Sequence, residues 1–434
     1  FQRLRYLHQL GAANFVYIGA THSRFEHCLG VAFLAEKMVA RLRAHQPWLP
    51  ISDTDALCVK LAGLCHDLGH GPFSHVFDGI FLQALRRHRL VPEAFDWTHE
   101  RGSLDMLDHL LAANGIAVAD FGLSAQDLVF VKEMIFGGPL PDAGGALRGR
   151  PAPAQRFLYD VVNNAQSGLD VDKLDYFLRD ATHAGVKASC DADLLLANAR
   201  VLPDRVTGEL TVCFPEKLAA QVLRAFHTRF ELHQCVYQHK TVRAIEYMIC
   251  DVLLAANDYV LLKRTRLSDA VANMAAYQHL DDRVLARVQE SDGPELADAR
   301  RVLGRIFTKP YYDFVGKTHV TAHSQHKSEE MLTTEILSCA SSRALVRKRR
   351  DVIVEFLRIH FGKGDADPLQ HVRFYAKHAS AGDVCYQIPA ESYEMHSPRT
   401  FQELSIRVFV KEPHLLAPVR EAFETWSAKF NGSH

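Results

Sequence analysis

The stretch LAGLCHDLGHGPFSHVFDG, residues 61–79, decides how the rest of the chain is read. Leu61, Leu64, Cys65 and Leu68 recur at helical spacing and share one side, while His66 and Asp67 are adjacent polar groups inside that apolar run. A carboxylate removed from water without a partner is strongly disfavoured. A divalent cation shared by both residues answers that cost and uses both side chains as ligands. Gly69, Gly71 and Pro72 then break the helix, and His70, His75 and Asp78 follow closely. A lone histidine in such a helix is more commonly a hydrogen-bonded core residue. The adjacent pair, followed by two more histidines and an aspartate, favours chemistry.

The pair supplies only two ligands, so others must come from distant elements. The candidates are His27 in THSRFEH and Asp172 in GLDVDKLDYFLRD. This scattered set differs from the compact H-E-x-x-H helix of metalloproteases, which the chain lacks. Asp172, Asp175 and Tyr176 stand at i, i+3 and i+4 and approach one helical face, with Asp180 two turns beyond Asp172. Carboxylates gathered on an inward face repel unless cations intervene, a second argument for metal and basic partners.

Composition is that of a folded chain long enough for two or three domains: 434 residues, 48% hydrophobic and 23% charged, with no low-complexity tract. A formal net charge of -1 gives no global basic field for nucleic acid, so an anionic substrate must be met by local Arg, Lys and metal. Nine dispersed cysteines without C-x-x-C read as reduced thiols. No apolar run reaches membrane-spanning length, and no membrane partner is expected.

Helices are expected over residues 1–10, 24–43 (capped by Ser23), 53–67 (capped by Ser52 or Asp53), 78–90, 98–112 (capped by Thr98, with His99 in the first turn) and 124–136. Residues 137–154 read as a flexible surface loop without a function of its own. Helices over 155–164 and 170–180 follow, then a helix and hairpin within 191–215. One long helix spans 216–259, where Arg229, His233 and Tyr237 form a stripe at i+4 steps; shorter helices follow at 268–277, 281–290 and 294–305. From about residue 310 the pattern changes: a polar loop at 317–330, alternating or β-branched strand segments, and a closing helix at 418–429. The fold expected is mainly α: an all-helical catalytic core over residues 1–309 and a smaller C-terminal α+β regulatory or oligomerisation lobe over 310–434.

FQRLRYLHQLG, GATHSRFEHCLG, residues 61–79, WTHE, VDKLDYFLRD and the run Tyr237-Gln238-His239-Lys240 occur in this order. Together they resemble the eukaryotic SAM-and-HD-domain deoxynucleoside triphosphate triphosphohydrolases, within the HD-domain phosphohydrolase superfamily. The likeness runs from residue 1 to about residue 420; the family's SAM domain is not in this chain, which reads as a fragment. The resemblance implies one metal on His27, His66, Asp67 and Asp172, iron or zinc by family habit, with Mn, Ni or Co also suited to mixed N/O ligation. It implies hydroxide attack on the α-phosphorus of a dNTP, releasing a deoxynucleoside and inorganic triphosphate. His75 is the expected general acid, with Asp78 at i+3 orienting its ring, and His70 and His99 contact phosphate. Arg24, Lys173 and Arg229 are expected on the triphosphate, with Tyr176 adding a hydrogen bond and Mg2+ bridging the phosphates. Gln9, Leu10 and Asp180 are assigned to the sugar and its surroundings, Tyr237 to exclusion of a 2'-hydroxyl, and Gln238 and His233 to its support.

The family is assembled into tetramers by guanine and deoxynucleoside triphosphates. Gln2, Arg5, Val16, Phe25, Lys217, His239, Lys240, Lys309 and Lys377 are the expected activator contacts here, in a homotetramer or homodimer. Leu194 and Pro215 stand where the family has Arg, Asp313 replaces a Lys and Lys309 an Arg, which weakens anion binding. The family implies a nuclear location, with cytoplasm otherwise. Two alternatives remain: an HD phosphohydrolase for mono- or cyclic nucleotides, and a nucleotide-gated single-stranded nucleic-acid binder using Arg86, Arg87, Arg89 and the basic run from Arg347 to Arg350.

Overall fold

Ser23 starts the first long helix in the computed structural model, which describes residues 1–92, 95–377 and 382–431. Its side chain meets the amide of Glu26, and Glu26 returns a 2.9 Å bond to the Ser23 amide. This capping box launches α1 (Arg24–His45). Ser52 and Asp55 cap α2 (Asp53–Cys65) in the same way. After a π-turn at Phe77–Phe81 come α3 (Leu82–Arg87), α4 (His99–Ala113) capped by Thr98, and α5 (Ala125–Phe136) capped by Ser124. Asp170 and Asp191 cap α6 (Val171–Ala184) and α7 (Ala192–Asn198). An antiparallel pair, β1 (Arg200–Pro203) and β2 (Leu210–Pro215), leads to α8 (Ala219–Leu232) and α9 (Lys240–Ala256). Then come α10 (Met274–Tyr277), α11 (Val284–Glu290) and α12 (Ala297–Thr308).

The remainder is mixed: β3 (Asp313–His319), α13 (Glu329–Ser338), β4 (Val352–His360), β5 (Arg373–Tyr375), β6 (Gln402–Val410) and α14 (Leu416–Asn431). β6 lies between β3 and β4, antiparallel to both, while β5 returns to pair parallel with β2. Most buried apolar residues form one cluster running from Leu4 to Phe409, and a smaller one packs β3, β4 and β6 against α13 and α14 around Trp426. The molecule is mainly α with a smaller α+β region, as expected. Among the described residues no helix is long and apolar enough to cross a membrane.

Six segments differ from the sequence expectation. Residues 1–10 hold only a 3-10 turn, Gln2–Tyr6, because Leu4 and Leu7 both point into the core. α2 stops at Cys65, so His66 and Asp67 follow the helix end. The span 216–259 is not one helix: a π-turn at His233–Tyr237 inserts an extra residue, Gln238 leaves helical backbone and His239 caps α9. Residues 155–164 form a 3-10 segment, Pro153–Asp160, and Lys317, Thr318 and His319 belong to β3.

The sixth is the loop at 137–154, whose end is tied down. Glu133 accepts the amides of Arg148 and Gly149 at 2.7 and 2.9 Å, and Arg150 bridges Asp55 at 2.6 Å and Asp127 at 2.5 Å. Arg150→Ala leaves two buried carboxylates facing one another without their cation. Stability is expected to fall by about 3 kcal/mol, read as a lower midpoint in urea unfolding, with activity retained at low temperature.

Candidate active site

α1 delivers His27, the end of α2 delivers His66 and Asp67, and the first turn of α6 delivers Asp172. His27 Nε2 lies 3.0 Å from Asp172 Oδ1 and 3.6 Å from Asp67 Oδ2; His66 Nε2 lies 3.3 Å from Asp172 Oδ1 and 3.5 Å from Asp67 Oδ1. The other ring nitrogens already have acceptors. His27 Nδ1 meets Asp175 Oδ2 at 2.7 Å and His66 Nδ1 meets the Gly63 carbonyl at 2.8 Å. Each Nδ1–H therefore donates outward, and each Nε2 lone pair faces the carboxylates. Buried His66 Nε2 has no hydrogen-bond partner. Lone pairs and carboxylate oxygens at this separation repel, and a cation between them removes the conflict. Two imidazoles and two carboxylates fit a divalent transition metal, and Fe, Zn, Mn, Co and Ni all accept such a set. The same field favours positive charge here, whether a cation or, in its absence, a proton on Nε2: burial opposes a charge on His27, but hydrogen bonds to Asp172 and Asp175 and the Asp67 charge outweigh it, pushing the imidazole up to about 10.

The cations expected on phosphate are held by protein acceptors. Buried Arg24 places Nη1 on Asp67 Oδ2 at 2.5 Å, Nε on Ser74 Oγ at 3.0 Å and Nη2 on the Gln9 carbonyl at 3.2 Å. That geometry makes it a brace for Asp67. Burial opposes the Asp67 charge, yet Arg24, His66 and His70 together hold the carboxyl well below its usual range. Lys173 Nζ sits on Asp170 at 2.8 Å, and Arg229 donates to the His360 carbonyl. Both side chains stay partly exposed, unlike Arg24.

Beside the ligand set stand His70, His75, Asp78 and His99. Asp78 was expected to orient His75, but its shorter contact is with His99 Nδ1, at 2.6 Å against 3.4 Å to His75 Nδ1. The cap at Thr98 explains this, since it aims the first turn of α4 at Asp78. His70 and His99 stack at 4.0 Å between ring centres. Burial, Arg24 and His99 push His70 well below its ordinary range; for His99, burial is outweighed by Asp78, which raises it. A neutral ring therefore lies on a ring that favours its proton. His75, with a side chain 70% exposed, has room to meet a ligand.

At the other end Asp180 binds His22 Nε2 at 2.7 Å and accepts the Tyr237 hydroxyl at 2.6 Å. Gln9 is buried, and its Oε1 has no partner. The His233 ring meets Tyr237 edge-on, and Tyr176 stands near His27. Gln238 is gripped by Arg407 through both its carbonyl and Oε1, at 2.5 and 3.2 Å. Leu10 packs against the core.

Of the expected activator contacts, Gln2, Arg5 and Phe25 adjoin: Arg5 Nε meets Gln2 Oε1 at 2.7 Å, and its guanidinium lies 3.6 Å from the Phe25 ring centre. Val16 is half-buried near the same chain end, and His239 lies edge-on to Tyr17. Lys240 covers Phe314 and Lys309 covers Tyr311, while Lys217 and Lys377 are exposed. Asp313 opens β3, Pro215 closes β2 and half-buried Leu194 sits in α7.

Sequence reasoning did not single out Arg3, His22, Asp282 or His360 as site-supporting. His22 carried a signal, standing inside the THSRFEH motif; the others act through main-chain contacts.

An HD domain family model matches residues 24–120, which contain His27, His66 and Asp67. Over 449 residues the chain is 40% identical to the deoxynucleoside triphosphate triphosphohydrolase SAMHD1 of Homo sapiens, covering 99% of this chain and 70% of that protein. It is 33% identical over 424 residues to the SAMHD1 homolog of Dictyostelium discoideum, covering 98% and 75%. A putative HD domain-containing protein, L394 of Acanthamoeba polyphaga mimivirus, is 29% identical over 297 residues, covering 65% and 57%.

Asp78 raises His99, so removing its charge must lower that imidazole. Asp78→Asn is expected to move the His99 titration to lower pH and to leave less of the ring protonated at neutrality, read by NMR of the ring nitrogens. An unmoved His99 would show that Asp78 does not set its charge.

Proposed function

This chain belongs to the SAMHD1 family of HD-domain proteins and is a metal-dependent phosphohydrolase acting on nucleotides; we propose that its substrate is a deoxynucleoside triphosphate, cut into deoxynucleoside and inorganic triphosphate. The observation that carries the reading is the convergence of four ligand side chains beside the stacked His70–His99 pair. His27, His66, Asp67 and Asp172 would hold a metal that, when bound, would supply Lewis acidity for water and phosphate.

The protein's residues then have separate tasks. Asp175 and the Gly63 carbonyl fix the imidazole tautomers, and Arg24 fixes Asp67. Arg24, Lys173 and Arg229 neutralise the triphosphate and Tyr176 orients it, and a Mg2+ accompanying the nucleotide would add positive charge there. His75 protonates the departing 5'-oxygen, while Asp78 and His99 hold a proton nearby and His70 donates to a phosphate oxygen. The Gln9 oxygen accepts the 3'-hydroxyl proton beside Asp180, and Leu10 lines that end. Tyr237, anchored on Asp180 and backed by His233 and Gln238, fills the space a 2'-hydroxyl would need. GTP and dNTP act as activators at Gln2, Arg5, Val16, Phe25, Lys217, His239, Lys240, Lys309 and Lys377, assembling a homotetramer in the nucleus. Leu194, Pro215 and Asp313 shift the selectivity of the second activator site, since fewer cations and an added acid weaken anion binding.

Product analysis tests the reaction. Triphosphate plus deoxynucleoside is expected from each dNTP, and pyrophosphate plus monophosphate would overturn the assignment. His66→Ala and Asp67→Ala are expected to lose bound transition metal, read by elemental analysis, and to lower kcat at least about 100-fold. Tyr237→Ala is expected to raise the ribo-to-deoxy ratio of kcat/KM by about 10-fold, read in parallel assays of GTP and dGTP.

A further inference from the structure

The turn leading into His75 contains two consecutive non-glycine residues in left-handed backbone, Phe73 at φ 56° and Ser74 at φ 55°. L-residues avoid this region, and they stay there only where neighbours over-determine the conformation. The restraint comes from Asp282, between α10 and α11 and 209 residues from Phe73 in sequence. Its Oδ1 accepts the Phe73 amide at 2.6 Å; its Oδ2 accepts the His8 amide at 2.8 Å and meets His8 Nδ1 at 2.6 Å. The His8 carbonyl in turn accepts the Ser74 hydroxyl at 2.7 Å. One carboxylate, its side chain 8% exposed, thus restrains Phe73 directly and Ser74 through a single residue.

The connection continues into the ligand set. Ser74 Oγ accepts Arg24 Nε at 3.0 Å, and Arg24 Nη1 holds Asp67 Oδ2 at 2.5 Å. The same turn is braced from behind, where Arg3 donates to the carbonyls of Leu68 at 3.2 Å and His70 at 2.6 Å, and the Tyr277 hydroxyl to Gly69 at 2.7 Å. Asp282 hydrogen-bonds to none of the ligand residues and none of the clustered histidines at 70, 75 and 99; its side-chain bonds go to His8 and Phe73.

We propose that Asp282 is a positioning residue for phosphohydrolysis, holding the strained Phe73–Ser74 turn that aims His75 and, through Ser74 and Arg24, the Asp67 carboxylate. The proposal rests on the roles given to His75 and Asp67 above. Its test therefore has one arm that needs no activity, amide hydrogen exchange of peptides covering residues 70–77.

In Asp282→Ala the Phe73 amide loses its acceptor, and exchange there is expected to rise about 10-fold or more, with peptides of α1 and α9 unchanged. A displaced turn is expected to lower kcat by about 100-fold while KM for dGTP stays within about threefold and bound metal is retained. Asp282→Asn keeps an oxygen for the Phe73 amide and loses only the His8 side. It is expected to preserve slow exchange at Phe73 and to lower kcat by about 10-fold, less than the alanine variant, because the link through Ser74 and Arg24 runs by way of His8. Unchanged exchange in folded Asp282→Ala would overturn the proposal, as would fast exchange with undiminished kcat. If the alanine variant does not fold, Asp282→Asn decides: slow exchange with this intermediate loss of kcat supports the assignment, and fast exchange or undiminished kcat refutes it. Should the parent release no triphosphate from dGTP, the substrate reading fails, while the exchange arm still reports whether Asp282 holds the turn.

Discussion

Everything in the site follows from two carboxylates, Asp67 and Asp172, facing two imidazole lone pairs inside a low-dielectric interior. Neither histidine can turn its other nitrogen inward, because Asp175 and the Gly63 carbonyl occupy those positions. The surrounding charges are arranged around this conflict. Arg24 balances Asp67, and Arg179 grips Asp175 with two bonds at 2.8 and 2.9 Å. Three carboxylates against two guanidinium groups leave one formal negative charge. A divalent ion reverses that to one positive charge, which suits a pocket meant for a polyanion. Gly30 permits the arrangement: a Cβ there would lie 2.0 Å from Asp175 Oδ1, so only glycine lets α1 and α6 bring His27 and Asp175 together.

Much of this was legible in the chain itself, for a physical reason. Helix starts depend on local chemistry, so Ser23 and Thr98 mark their helices, and Ser52, one of two candidates, marks the next. The His-Asp pair stands out because an unpaired carboxylate in an apolar run demands an explanation, and family motifs then locate His27 and Asp172. What could not be read is what depends on distant main-chain acceptors. Arg3 resembles any solvated arginine in an amphipathic segment, yet its guanidinium is taken up by carbonyls of residues 68, 70 and 280. Arg24, expected on phosphate from its place beside His27, also gives three of its five N–H donors to Ser74, Asp67 and the Gln9 carbonyl, which only the fold shows. Regular helical spacing would line up Arg229, His233 and Tyr237; the π-turn changes the pitch and brings Tyr237 onto Asp180. The loop at 137–154 looked unstructured by its Gly and Pro content, but one buried glutamate and one arginine are enough to fasten its end.

The last link joins the sugar end of the site to the mixed region beyond residue 310. Arg407 on β6 holds both Gln238 oxygens and shares Glu355 on β4 with Arg243 and Tyr247 of α9. Two guanidinium groups around one buried carboxylate form a costly arrangement unless every donor is satisfied. Burial alone pushes Arg407 down, and Glu355 works against that, so the cation and the carboxylate depend on each other. Gln238 is the residue at which helical backbone breaks before His239 caps α9. The break that positions Tyr237 is therefore stabilised from the β-sheet, not from the helical core that supplies the metal ligands. The two ends of the site consequently answer to different parts of the fold: the ligand end to α1, α2 and α6, and the sugar end to a strand contributed from near the chain's C-terminus.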